Sequence, residues 1–201
     1  MKLYVSAGSP YSRRARIAVR EAGLGDQIEE VDANDLPDRK GTLLKLGPGG
    51  KIPTLMLDNG TALSESMIIA HYLDRLSGGK LYPADEFALA DCYRVEAVGA
   101  VLMDSLHVRS VQGRLDPSEQ SPRYIKKESG RCGRCYDTLE SMLGLLTGQT
   151  HFSALTVAAS LSYADWRGAA DNWRDSHPKL DAWMKSLESH PSLAATARPD
   201  S

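Results

Sequence analysis

The stretch Gly50-Lys51-Ile52-Pro53-Thr54-Leu55-Met56-Leu57, followed at once by Asp58-Asn59-Gly60-Thr61, decides the fold. Ile52, Leu55, Met56 and Leu57 give the first part the apolar density of a strand. Asn59-Gly60 between two apolar runs is a hairpin signal, because both turn residues must accept positive φ. The strand Thr61-Ala62-Leu63 is therefore expected to return antiparallel beside it. Pro53 stands at the mouth of the first strand, where a ladder N–H is wanted and proline has none. Such a proline either starts the strand or holds the backbone out of pairing, through a cis bond that few other residues tolerate. Backbone groups left out of a ladder are open to a ligand.

Working upstream, Leu3-Tyr4-Val5 reads as a short buried strand and Ser6–Pro10 as turn chemistry. A helix is predicted from about Tyr11 to Ala22, with Ala15, Ala18, Val19 and Ala22 on its buried face and Gly23 and Gly25 to stop it. Ile28–Val31 reads as a second strand, and Asp35–Leu46 carries a weaker helical pattern. Downstream, Ser64-Glu65-Ser66 opens a helix whose apolar face is Ile68, Ile69, Tyr72, Leu73 and Leu76, ended by Gly78-Gly79. Strand, helix, strand, helix, strand, strand, helix predicts a mixed four-stranded sheet with helices on its faces. That is the thioredoxin-like arrangement.

After Lys80-Leu81-Tyr82-Pro83 the strand signals vanish. Phe87–Val108 is a long helical window, with Leu89, Cys92, Tyr93, Ala97, Ala100, Val101 and Met103 as expected buried positions. Gly113–Pro122 reads as a loop. Further helices are predicted over Tyr124–Leu146, Thr156–Arg167 and Lys179–Leu187, the last started by Pro178. The expected plan is an α/β domain over residues 1–77, a linker over 78–85 and an all-helical domain over 86–201.

The 201 residues are 42% apolar, enough for a core, and disorder is not expected. Lys plus Arg number 24 and Asp plus Glu 26, with no basic excess, so no nucleic-acid partner is expected. Cys92, Cys132 and Cys135 are too few, and odd in number, for a disulfide framework, which points to a reducing compartment. The chain opens without the apolar run of a signal peptide, and no window of 18 apolar residues suggests a membrane span. A cytoplasmic protein is the expectation.

Two helix starts could carry chemistry. Ser9 stands before the first helix, where free N–H groups and the macrodipole favour an anion. Its hydroxyl could steady a thiolate, or it could simply cap the helix. At Ser64-Glu65-Ser66 a carboxylate could hold a ligand ammonium, while Ser66 and its N–H hold a ligand carboxylate. An ordinary cap with an acid in the first turn explains the same residues. Cys132-Gly133-Arg134-Cys135 has redox spacing, but both cysteines fall on an apolar helical stripe and read as core. The five histidines form no metal-ligand pattern, so no metal is expected. Arg13, Arg14 and Arg16 read as a charged helix face.

Three motifs in order, Ser-Pro-Tyr-x-x-Arg-x-Arg-Ile, Gly-Lys-Ile-Pro-Thr-Leu and Leu-Ser-Glu-Ser-x-x-Ile, resemble the cytosolic glutathione S-transferase family. The two-domain plan is similar to that family over essentially the whole chain. The resemblance implies glutathione as co-substrate, with Ser9 hydrogen-bonded to its sulfur as in serine-type members. It implies that Lys51 reaches the glycine carboxylate, that Ile52, before a cis Pro53, pairs its backbone with the cysteinyl part, and that Glu65 and Ser66 hold the γ-glutamyl end. A small, apolar electrophile would sit between the domains against Tyr11, Met103 and His107, with Trp166 as a further wall. Tyr4 lies too early to be the activating group of tyrosine-type enzymes, Ser12 is the alternative hydroxyl, and no cysteine occupies position 9 for disulfide exchange. A homodimer and a role in detoxification follow from the family alone, and no membrane partner is expected from the lack of an apolar span. The same resemblance admits a glutathione-dependent isomerase, dehalogenase or ether-cleaving enzyme, or a non-enzymatic binder. The chain departs from the family's Thr-x-x-Asp capping box: Thr156 is present, but Ala159 stands where the acid belongs, leaving Thr156 to cap alone.

Overall fold

The computed structural model describes residues 1–147, 151–168 and 171–198. The chain divides into two compact units, Met1–Pro83 joined by the segment from His190 onward, and Ala84–Ser189.

The first unit holds β1 (Lys2–Val5), α1 (Pro10–Glu21), β2 (Glu29–Asp32), α2 (Arg39–Leu46), β3 (Thr54–Met56), β4 (Ala62–Ser64) and α3 (Ser66–Leu76). The sheet order is β2-β1-β3-β4. β1 runs parallel to β2 and antiparallel to β3, and β3 runs antiparallel to β4. This is the expected mixed four-stranded, thioredoxin-like sheet. The hairpin is as expected, but only Gly60 of its turn has positive φ (+85°): Gly60 N–H donates to Leu57 O and Leu57 N–H to Thr61 O, a longer loop in which Asn59 needs no left-handed backbone. The Ala15, Ala18, Val19 and Ala22 face of α1 is buried. On α3 the stripe is narrower than predicted: Ile69, Ala70 and Leu73 are buried, whereas Ile68 is 54% and Leu76 44% exposed. A helix lying on one face of a sheet covers only part of its own circumference, so the flanks of an apolar stripe stay in solvent.

A last helix, α10 (Pro191–Ala195), returns to the first unit, whereas the sequence reading ran the helical domain through residue 201. Its anchors are polar and lie on α1. Arg13 donates from Nη2 to Leu193 O (3.2 Å) and from Nε to Thr196 Oγ1 (3.4 Å), and Ser192 Oγ donates to Glu21. No apolar periodicity announces such a contact.

The second unit is helical: α4 (Glu86–Gln112), α5 (Pro122–Ser141), α6 (Leu143–Leu146), α7 (Phe152–Arg167), α8 (Trp173–Ser176) and α9 (Pro178–Ser186). Its core is built where α4 meets α5 and α7. The buried stripe of α4 is Cys92, Val95, Glu96, Gly99, Leu102, Met103 and Leu106, and Tyr93, Ala97 and Val101 lie outside it. The predicted stripe mixed two phases of the same helix. The chosen phase contains a glycine and a glutamate, which hydrophobicity alone disfavours.

Thr156 is not a cap. α7 begins four residues earlier, and Thr156 is fully buried inside it with Oγ1 unpaired among the described residues. With Ala159 in place of an acid, no carboxylate reaches back to hold the N–H of residue 156 at a helix start. The backbone then stays helical through it.

Candidate functional site

The strand register brings three backbone segments to one end of the sheet. Tyr4 pairs with Thr54, and Thr54 pairs with Ser64. The exit of β1, the entry of β3 and the exit of β4 are thus side by side. The residues just beyond them are Ser9, Ile52-Pro53 and Glu65-Ser66.

Ser9 is the N-cap of α1, and its Oγ accepts from the Ser12 N–H at 3.2 Å. The cap and a ligand contact are compatible, because the accepted bond leaves the hydroxyl proton to donate. Ser12 is fully buried and its Oγ accepts from the Ser6 N–H at 3.2 Å, so this alternative hydroxyl is used inside the turn. Tyr11, in the first turn of α1, is half-buried.

The Ile52–Pro53 bond is cis. Pro53 is buried and Ile52 half-buried, and the β3 ladder begins only at Thr54. Among the described residues no backbone hydrogen bond uses the Ile52 N–H or C=O. Lys51 is exposed, and its carbonyl accepts from Thr54 Oγ1 at 2.8 Å. The preceding Gly50 has φ +54°, and a Cβ there would stand 3.1 Å from Leu44 of α2. Only glycine fits that turn without strain.

Glu65 has φ +69° and ψ 118°, a conformation that costs a residue with a Cβ roughly 1–3 kcal/mol. Its side chain is exposed and makes no capping bond, so the plain-cap explanation fails for this carboxylate. Ser66 is buried, and its Oγ accepts from Arg14 Nη1 at 3.2 Å.

The arginines of α1 are not a solvated face. Arg14 is 2% exposed. Burial, and then the nearby Arg16, lower the pKa of Arg13 to about 10. Arg16 and Arg20 both bond Glu30 of β2. A signal for Arg14 was available: it precedes Ala18 by four residues, on the buried side of the helix.

Met103, His107 and Trp166 lie in the second unit. Met103 is fully buried in the α4 stripe, a core position rather than an open wall. His107 and Trp166 are half-buried, with the Arg167 guanidinium 3.6 Å from the Trp166 ring centre and Tyr163 edge-on to it. Cys92, Cys132 and Cys135 are free and buried. Burial pushes all three thiols up, Cys135 to about 11, which matches core packing rather than redox chemistry. Among the described residues no group of three or more His, Cys, Asp or Glu could hold a metal, and no helix is long and apolar enough to cross a membrane.

Comparison with known proteins agrees with this geometry. Residues 8–76 match the family model described as "Glutathione S-transferase, N-terminal domain". An uncharacterized GST-like protein of Escherichia coli K12, YibF, is 26% identical over 204 residues, covering 99% of each chain. Glutathione S-transferase U1 of Arabidopsis thaliana is 26% identical, covering 94% of this chain and 84% of its own. A glutathione transferase family member from Pseudomonas fluorescens Pf-5, solved with bound glutathione, superposes with a TM-score of 0.92 at 28% identity, covering 99% of both chains. A glutathione S-transferase from Methylobacillus flagellatus KT, solved with glutathione, gives 0.88 at 25% identity, covering 98% of both. Motifs, sheet topology and end-to-end structural agreement converge on one conclusion: residues 8–76 form a glutathione S-transferase N-terminal domain, and the chain as a whole has the fold of glutathione transferases solved with bound glutathione.

Proposed function

We propose that the protein is a glutathione transferase of the serine type, binding glutathione at the end of the sheet where β1, β3 and β4 present Ser9, Ile52 and Glu65-Ser66. The observation that carries this reading is the register Tyr4–Thr54–Ser64, which aligns the three segments on adjacent strands. The donors and acceptors fit a γ-glutamyl tripeptide. Ser66 can donate to the γ-glutamyl carboxylate and Glu65 can accept from its ammonium. The unbonded Ile52 N–H and C=O suit an extended cysteinyl residue lying antiparallel to them, beside Pro53. Lys51 supplies a cation for the glycine carboxylate.

Serine is too weak an acid to serve as base towards a thiol. Its contribution is a hydrogen bond donated to the thiolate, at the positive end of α1. A free thiol has a pKa of roughly 8.5, so this bond raises the fraction of glutathione present as nucleophile at neutral pH. The thiolate then attacks a small, apolar electrophile, with Tyr11 in the first turn of α1 as an aromatic wall. The working form is a homodimer, with Ile68 and Leu76 of α3 as apolar residues available to meet a second copy. The setting is cytoplasmic and the role detoxification.

The test is a glutathione titration of wild type and Ser9→Ala, following binding and thiolate absorbance together. Binding should survive in the variant and the thiolate signal should fall. Unchanged thiolate formation removes Ser9 from its role, and a wild type that does not bind glutathione ends the reading.

A further inference from the structure

We infer that Arg14 is a positioning residue that holds the Ser66 hydroxyl as a donor and thereby makes the γ-glutamyl subsite selective for a carboxylate. The inference rests on the glutathione reading above. It starts from one buried contact, Arg14 Nη1 to Ser66 Oγ at 3.2 Å, with the two residues 2% and 3% exposed.

An arginine side chain has donors only, and a serine hydroxyl has a single proton. With Arg14 donating, Ser66 Oγ must accept, and its own proton is left to point elsewhere. Ser66 is the first residue of α3, directly after the exposed Glu65. Its hydroxyl and the free N–H groups of the helix start therefore act together as donors. Hydrogen bonds in a chain polarise one another, so a hydroxyl that accepts from a guanidinium is a stronger donor. A ligand group at this helix end must therefore accept, which a carboxylate does with both oxygens and a carboxamide with one only.

The contact has a second consequence. Arg14 lies in the second turn of α1, whose N-cap is Ser9, and α1 packs against α3. The bond ties the helix that carries the thiolate donor to the helix that carries the carboxylate donor. Neither can shift along the other without breaking it.

The experiment compares glutathione with 4-aminobutyryl-cysteinylglycine, which lacks only the γ-glutamyl α-carboxylate, on wild type, Arg14→Lys, Arg14→Gln, Ser66→Ala and the double variant Arg14→Lys/Ser66→Ala. Thermal unfolding of each variant is recorded alongside. Wild type should prefer glutathione, and Arg14→Lys and Arg14→Gln should each lose about tenfold of that preference, the size of one charge-assisted hydrogen bond. Affinity for the decarboxylated analogue should stay within about twofold. The double variant should bind glutathione no more weakly than Ser66→Ala. Equal losses for both ligands, additive losses in the double variant, or an unchanged preference overturns the role of Arg14 while leaving glutathione binding intact. Failure of wild type to bind glutathione overturns the underlying reading and this inference with it.

Discussion

Gly99 of α4 and Val157 of α7 meet so closely that a Cβ at position 99 would lie 3.1 Å from Val157 Cγ2 and 3.5 Å from its Cα. Ser160 Oγ lies at the same approach, 3.0 Å from Gly99 O and 2.9 Å from Thr156 O of its own helix, so its one proton is shared between the two carbonyls. The glycine is what lets the two central helices of the second unit come together. Gly133, inside α5, has nothing within 4 Å of a Cβ. The two positions should respond oppositely. Gly99→Leu forces the helices apart and should cost about 2 kcal/mol. Gly133→Ala should gain about 0.5–1 kcal/mol from helix propensity alone. Urea unfolding of both variants checks the pair, and a stabilised Gly99→Leu would mean the contact is not tight.

Glu65 combines positive φ with an exposed carboxylate and no capping bond. If the strain is retained for ligand binding, relieving it should separate stability from affinity. Glu65→Gly should raise stability by about 1 kcal/mol and weaken glutathione binding about tenfold. Glu65→Ala should lose the affinity without the stability gain. Calorimetric titration with thermal melts reads both quantities, and full affinity in either variant removes Glu65 from the subsite.

Glu30 of β2 accepts from Arg16 Nε at 2.7 Å and Arg20 Nη1 at 2.5 Å. Burial pushes its carboxyl up, but the hydrogen bonds from Arg20 and Arg16, with their charges, outweigh it and hold the pKa below the ordinary value. The folded-state pKa is depressed, so the stabilisation is present above the unfolded carboxylate pKa of about 4.3 and is lost as pH falls through the folded value. Glu30→Gln should cost about 1 kcal/mol at neutral pH, and the gap to wild type should close below about pH 4. Denaturant midpoints measured from pH 7 downward give the comparison. A gap that stays constant with pH would show that packing, not charge, ties α1 to β2.

The buried thiols make a kinetic prediction. Burial, then the adjacent Cys132, set Cys135 near a pKa of about 11, and burial raises Cys132 and Cys92 as well. At pH 8 an aromatic disulfide reagent should label native protein slowly and all three cysteines quickly once unfolded, since only the thiolate reacts. Fast native labelling of Cys132 or Cys135 would mean that α5 opens under native conditions.

The α/β unit was legible because its signals are local. Asn59-Gly60 dictates a turn, Pro53 interrupts a ladder, and Ser9 stands directly before a helix. The phase of α4 was less legible. A 27-residue helix with apolar residues on several faces fits more than one stripe, and the choice falls to the partner helices α5 and α7. Gly99 wins a core position because Val157 needs the space, and Tyr93 loses one although it is larger and more apolar. Arg14 differs for a similar reason: charge argues for solvent, whereas Ser66, on another helix, accepts a hydrogen bond from it in the interior.

By itself the sequence determined the element order of the first unit, its hairpin, the proline that interrupts the ladder and the residue types at the three backbone segments. These follow from short-range sterics and from hydrogen-bonding groups within a few residues of each other. The tertiary structure alone decided that the β1–β3–β4 register gathers those segments at one end of the sheet. It also returned α10 to α1 through Arg13, and paired Arg14 with Ser66 across 52 residues of chain. Such contacts join groups far apart in sequence. Their energies depend on burial and partner geometry, which no local pattern of residues encodes.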